Sequence, residues 1–184
     1  MNLQEIYLSK CNESSDINEH LPVLKKYAEE CSHITEFGVR GVVSTYALMM
    51  GEPKILKSYD ITPIEEHGVS RNDLASLAKE NGVEFEFIVG NTLQIEIEET
   101  DLLFIDTWHV YDQLKKELEL HADKVKKYLI FHDTTTFGMT GEFQPIGLWP
   151  AIEEFLEKNS NWEIKEKLEN NNGLTILKNN KWKN

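Results

Sequence analysis

Cysteine is almost missing from this sequence, with only Cys11 and Cys31 among 184 residues. A disulfide framework is therefore not expected, and a reducing, cytoplasmic compartment is. No basic and apolar leader opens the chain, and no apolar run approaches the ~18 residues of a membrane span, so no membrane partner is expected. Basic residues are also few: 19 Lys and Arg stand against 32 Asp and Glu, for a formal charge of −13. Such a surface repels a phosphate backbone, and the short basic runs at Lys124 to Lys127 and near the C-terminus do not reverse that. Nucleic acid is not an expected partner. The length suits about one domain with a sizeable core.

Strand-like apolar runs alternate with amphipathic helical ones, the pattern of a parallel α/β sheet. Strands are expected at Ser32 to Phe37, Lys54 to Asp60, Glu84 to Val89, Asp101 to Asp106 and Tyr128 to His132. Helices are expected at Gly41 to Met50, Val69 to Asn81, Tyr111 to His121 and Gly147 to Lys158. Trp162 to Leu168 and Gly173 to Leu177 read as a terminal strand pair around Glu169-Asn-Asn-Asn172. Residues 1–31 form an N-terminal helical segment, with Leu21 to Glu30 leading into the sheet domain of 32–184. Two connections have unusual lengths. Asn91 to Thr100 is short for a parallel crossover, and its LQIEIEE alternates with period two, which allows an extra short strand. Thr134 to Pro145 is long for a compact α/β domain, and such loops tend to carry function.

Open α/β sheets bind ligands beyond the carboxyl ends of their strands, so the residues just after each strand are candidates together. These are Glu36, Gly38 and Gly41; Asp60; Asn91 and Thr92; Asp106 and His109; and His132, Asp133 and Thr134. Gly38 and Gly41 permit positive φ and remove a Cβ that would keep a ligand from the backbone, while the helix that follows would aim free N–H groups at it. Asp60 follows Gly38 by 22 residues, close to the ~20 at which an acid meets ribose hydroxyls in dinucleotide folds. Asp60 could equally cap the turn before Pro63. The E-x-G-x-x-G pattern lacks the third glycine of the dinucleotide fingerprint, which argues against a nicotinamide-dependent oxidoreductase, the second reading of the same sheet.

TEFGVRGVVST, SYDI at Ser58 to Ile61, DLLFIDTWHVYDQLKKEL at Asp101 to Leu118, LIFHDT at Leu129 to Thr134 and GLWPAIEEFL at Gly147 to Leu156 occur in that order. Together they resemble class I S-adenosylmethionine-dependent methyltransferases, and among them the O-methyltransferases that include macrolide-sugar methyltransferases and cephalosporin hydroxylase-like proteins. The likeness runs from about Asp16 to Leu177. It implies a single-domain Rossmann-like methyltransferase fold: a mostly parallel seven-stranded sheet with a C-terminal antiparallel strand pair and helices on both faces. It implies S-adenosylmethionine as cofactor, held by Glu36, Gly38, Gly41, Asp60, Asn91, Thr92 and Asp106, and a hydroxyl of a small molecule or sugar as acceptor. His109 matches the general base, with Asp106 beside it in catalysis. Asp106, His132 and Asp133 match a site for Mg2+ or Mn2+. Asn91 and His132 depart from the family, which has acids there. A histidine at 132 is not a ligand, favours a softer metal such as manganese or zinc, or signals no metal. A non-catalytic S-adenosylmethionine-binding protein is thus a third reading, and a homodimer stays open.

The residue types suit the chemistry without the family name. Methyl transfer from a sulfonium is an in-line displacement that depends on alignment. A histidine titrating near working pH is matched to removing a hydroxyl proton, and a cation lowers the hydroxyl pKa further. Simpler roles exist: His109 at a helix N-terminus, His132 buried against backbone, Asp133 forming a turn. Phe137, Met139, Phe143 and Trp149 could close over an acceptor or merely pack the loop, and Ser15 to His20 could reach the same mouth. Trp162 and Trp182 read as core or tail.

Overall fold

A computed structural model describes residues 1–182. Helix α1 (Leu3–Asn12) starts in a reciprocal cap between Asn2 and Glu5, and α2 (Leu21–Ala28) carries Pro22 in its first turn, where a missing N–H costs nothing. Then come β1 (His33–Phe37), α3 (Val43–Met49), β2 (Ile55–Asp60), α4 (Arg71–Glu80, capped by Ser70) and β3 (Glu84–Val89). The remaining elements are β4 (Thr100–Ile105), α5 (Tyr111–His121), β5 (Val125–His132), α6 (Leu148–Lys158), β6 (Trp162–Leu168) and β7 (Leu174–Asn179). One seven-stranded sheet runs β3-β2-β1-β4-β5-β7-β6, parallel through β5, with β7 antiparallel to both its neighbours.

The continuous apolar runs of β4 and β5 serve two cores by simple alternation. Leu102, Phe104, Tyr128 and Ile130 face the side covered by α1 to α4, while Leu103, Ile105, Leu129 and Phe131 face α5 and α6. Leu21, Leu24, Tyr27 and Ala28 of α2 pack into the first of these cores. No helix among the described residues is long and apolar enough to cross a membrane.

Most elements agree with their expected spans to within a residue or two; β5 starts three residues earlier, at Val125, and β7 runs on to Asn179. The extra strand at LQIEIEE does not form. Residues 90–99 must cross from β3 past β2 and β1 to β4, about 14 Å sideways, while returning the length of a strand, about 20 Å. Ten residues reach roughly 33 Å when extended, whereas a helix spanning 20 Å would need about 13 by itself. The segment turns once, with Gln94 N–H on the Asn91 carbonyl at 2.8 Å, and then crosses without strand pairing, with Ile95 and Ile97 on the α5–α6 core. That contact, not strand pairing, produces the alternation.

Candidate active site

Strands β1 and β4 are neighbours from which the chain departs to opposite sides, the switch point where such sheets hold ligands. On the β1 side Gly38 has φ +83°, and a Cβ there would lie 2.0 Å from the Asp106 carbonyl oxygen. Close approach of two strand ends therefore demands this glycine. At Gly41 an added Cβ meets nothing nearer than Val43 Cγ2 at 3.8 Å, so its bare face is turned to open space.

The two acids of this bank are already engaged. Glu36 is fully buried and accepts from Ser44 Oγ (2.6 Å), Thr45 Oγ1 (2.9 Å) and Ser58 Oγ (2.5 Å). Burial pushes its carboxyl up to about 7, against the pull of those hydroxyls. It lies beneath the turn and does not line the cavity above it. Asp60 Oδ2 accepts from the backbone N–H of Val39 (2.8 Å) and Arg40 (3.2 Å), and Oδ1 from that of Thr62 (2.8 Å). The N–H groups expected to face a ligand are thus partly taken by Asp60, and α3 begins only at Val43, after Val42 in the left-handed region at φ 58°. Asn91 is exposed with its Oδ1 on Leu93 N–H at 2.9 Å. Thr92 is buried, donating to Glu117 Oε1 at 2.6 Å, where Gln113 and Thr107 also converge. Glu117 is fully buried, and burial raises its pKa.

Across the cleft the polar groups remain in excess. Asp106, His109 and Asp133 bring ligand atoms to within 4.8 Å of one another. His109 Nε2 is 2.8 Å from Asp133 Oδ2 and 3.3 Å from Asp106 Oδ1, and Nδ1 is 3.0 Å from Glu142 Oε2. With carboxylates on both nitrogens, both must donate, so the ring is an imidazolium. Burial opposes this charge, but Asp106 and Asp133 outweigh it and push the pKa up to about 10. His132 behaves alike: burial opposes, the same two acids prevail, and its pKa also rises to about 10. Burial drives the two acids upward, and the histidines reverse it, holding Asp133 and Asp106 below the usual carboxylate range. Asp133 sits at φ 61° and its Oδ1 is buried without a hydrogen-bond partner. A buried carboxylate oxygen with no protein partner is a donor atom that an ion or water can use.

His132 Nδ1 lies 3.3 Å from Asp106 Oδ1 and 3.6 Å from Asp133 Oδ2, beside the two acids of the expected metal set. The residue is 1% exposed, and its Nε2 is spent on the carbonyls of Asp16 (3.2 Å) and Asn171 (3.3 Å). The histidine that converges with Asp106 and Asp133 is His109. Two carboxylates and one imidazole suit Mn2+ or a similar ion better than Mg2+, which prefers oxygen alone.

Between the banks lies a cavity of about 150 Å3, lined by Asp16, Arg40, Gly41, Asp106, His109 and Asp133 among others. Pockets for drug-sized ligands run to roughly 300–1,000 Å3. The cavity is smaller than that range, and two of its lining residues, Arg40 and Asp16, pair with each other.

The 133–147 loop is built onto His109. Phe137 stacks on the imidazole at 4.8 Å between centroids, and Glu142 N–H donates to the His109 carbonyl at 3.0 Å. Trp149 packs the loop by donating to the Thr134 carbonyl at 2.8 Å, whereas Met139 and Phe143 stand 70% and 92% exposed at the rim. Trp162 belongs to the α5–α6 core and Trp182 is half exposed. Asp16 lies in the segment Ser15 to His20 expected at the mouth, whereas sequence reading missed Arg40 and Glu142. Arg40 stood inside the glycine motif as a signal, but nothing in the spacing ties Glu142 to His109.

No protein-family model matches the chain, and no curated protein does. Solved structures do. An O-methyltransferase from Bacillus cereus in complex with SAH is 16% identical over 96% of this chain and 90% of its own, with a TM-score of 0.63. The SAH-bound methyltransferase PaMTH1 of Podospora anserina is 16% identical over 99% and 88%, at 0.59. Cofactor-bound Rv0187 from MTB is 14% identical over 97% and 89%, at 0.66. At such identities the likeness is one of architecture, and the chain has the Rossmann-like methyltransferase fold that these structures share.

Proposed function

We propose that this chain is an S-adenosylmethionine-dependent O-methyltransferase acting on a hydroxyl of a small molecule or sugar in the cytoplasm, with a divalent cation held by Asp106 and Asp133 and with His109 beside it as the base. The observation that carries the reading is the group Asp106, His109 and Asp133, which lines one cavity with the glycine turn and in which Asp133 Oδ1 is buried with no partner among the described residues. Two solved structures of this fold hold SAH, which supports the cofactor.

The cofactor supplies a methyl on a sulfonium for in-line displacement, and a cation at the two aspartates lowers the pKa of an acceptor hydroxyl. Gly41 leaves the turn open to the amino-acid end, and Asp60 keeps that turn in shape. Phe137 and Glu142 fix the plane and rotation of His109. An imidazolium cannot accept a proton, so His109 acts as a base only when positive charge between Asp106 and Asp133 comes from elsewhere. Activity is therefore expected to vanish with chelator and return with one added divalent ion. Calorimetry with S-adenosylhomocysteine and with NAD tests the cofactor: binding of NAD alone would overturn the reading. Binding of S-adenosylhomocysteine with no methyl transferred to any of a panel of sugar and phenolic acceptors would favour a non-catalytic binding protein.

A further inference from the structure

The cavity is poor in positive charge for a ligand that ends in a carboxylate. Its lining holds three acids, Asp16, Asp106 and Asp133, and two cationic side chains, Arg40 and His109. His109 is already enclosed by Asp106, Asp133 and Glu142. Among the described residues Arg40 pairs with Asp16 alone, with its side chain 76% exposed and that of Asp16 34%. Its backbone is fixed from below by Asp60, so the guanidinium has a set origin and an adaptable end.

Asp16 belongs to a strap over the mouth. Ser15 accepts from Asn171 Nδ2 at 2.7 Å, Glu19 N–H donates to Asn171 Oδ1 at 2.9 Å, and Ile17 lines the cavity. The strap thus lays a carboxylate on the guanidinium where the chain has room for a small carboxylate ligand.

Resting on the cofactor reading above, we propose that Arg40 is the anchor for the α-carboxylate of the methionyl cofactor, and that Asp16 occupies it as an internal substitute until the cofactor displaces it. One carboxylate replaces another on the same planar fork, so the exchange needs little net energy. Release of Asp16 also parts two residues of the cavity lining.

Calorimetric titration with S-adenosylhomocysteine and with 5′-methylthioadenosine, which lacks the amino-acid end, tests this. Arg40→Ala is expected to weaken S-adenosylhomocysteine by roughly tenfold or more, the range for a hydrogen bond to a charged group, and to leave methylthioadenosine unchanged. Arg40→Lys should fall between, keeping the charge without the fork. Asp16→Asn should tighten S-adenosylhomocysteine by roughly two- to fivefold, because an exposed ion pair no longer competes. Equal losses for both ligands in Arg40→Ala, no loss for either, or weaker binding in Asp16→Asn would each overturn the anchor while leaving the cofactor reading intact. If the wild-type chain binds neither ligand, the cofactor reading fails and the anchor with it.

Discussion

The two banks of the cleft are made of similar residues put to opposite use. On the β1–β2 bank every carboxylate is satisfied by the protein itself: Glu36 by three hydroxyls, Asp60 by three backbone N–H groups. On the β4–β5 bank the acids outnumber what the fold supplies, and two imidazolium rings stand between them with one oxygen left over. A satisfied acid shapes backbone, and an unsatisfied one invites a ligand. The difference teaches that residue type at a strand end does not decide the role; the number of donors left nearby does.

Mutations should separate the banks. The largest effect is expected from His109→Ala, with turnover falling by about 10²–10⁴ while S-adenosylhomocysteine affinity in calorimetry holds; lost affinity would move His109 out of the proton-transfer role. Glu36→Ala should act on stability instead, by about 3 kcal/mol in urea unfolding, since it strands three buried hydroxyls. The banks also titrate apart. Glu36 has a raised pKa, so its contribution is present below 4.5 and is lost as pH climbs to about 7. His109 and His132 are raised as well, so theirs is lost between 6.5 and about 10. Glu36→Gln should flatten the first fall in a series of melts and leave the second.

Glu142→Ala, which frees Nδ1 of His109, should lower turnover by roughly tenfold, the range for losing a hydrogen bond to a charged group. An unchanged kcat would leave the loop no part in holding His109. Asp60→Ala should weaken S-adenosylhomocysteine by more than about 1 kcal/mol, and Asp60→Asn by less, because one amide oxygen still accepts. Least of all, Phe143→Ser should shift the melting transition by no more than about 0.5 kcal/mol, and an elevated KM for an acceptor at unchanged stability would give the exposed ring a use.

The sheet was legible because β1, β2, β4 and β5 are apolar runs long enough to show a period and are bounded by turn residues. The 90–99 crossover was not, since an unpaired segment packed on a core alternates like a strand. At the site, the positions of Asp106, His109 and Asp133 after their strands followed from chain order. What chain order could not show was competition. Nothing local says that Asp60 is spent on Val39 and Arg40, that His132 turns to two carbonyls, or that Glu142 returns across 33 residues to His109. Such partnerships are set by tertiary distance, and sequence spacing carries no record of them.

The Asn171 turn that clasps the strap gives the cleft a timetable. Its bonds to Ser15 and Glu19 span 156 and 152 residues, and the same turn offers His132 a carbonyl. During synthesis the strap leaves the ribosome 152 to 156 residues ahead of its partner and waits for it. Until β7 arrives, β5 is an open edge beside a half-built mouth. Contacts of such separation form late and slowly. The strap thus cannot be clasped until the Asn171 turn has been made, and a nascent chain has its five parallel strands before the mouth of the cleft can close.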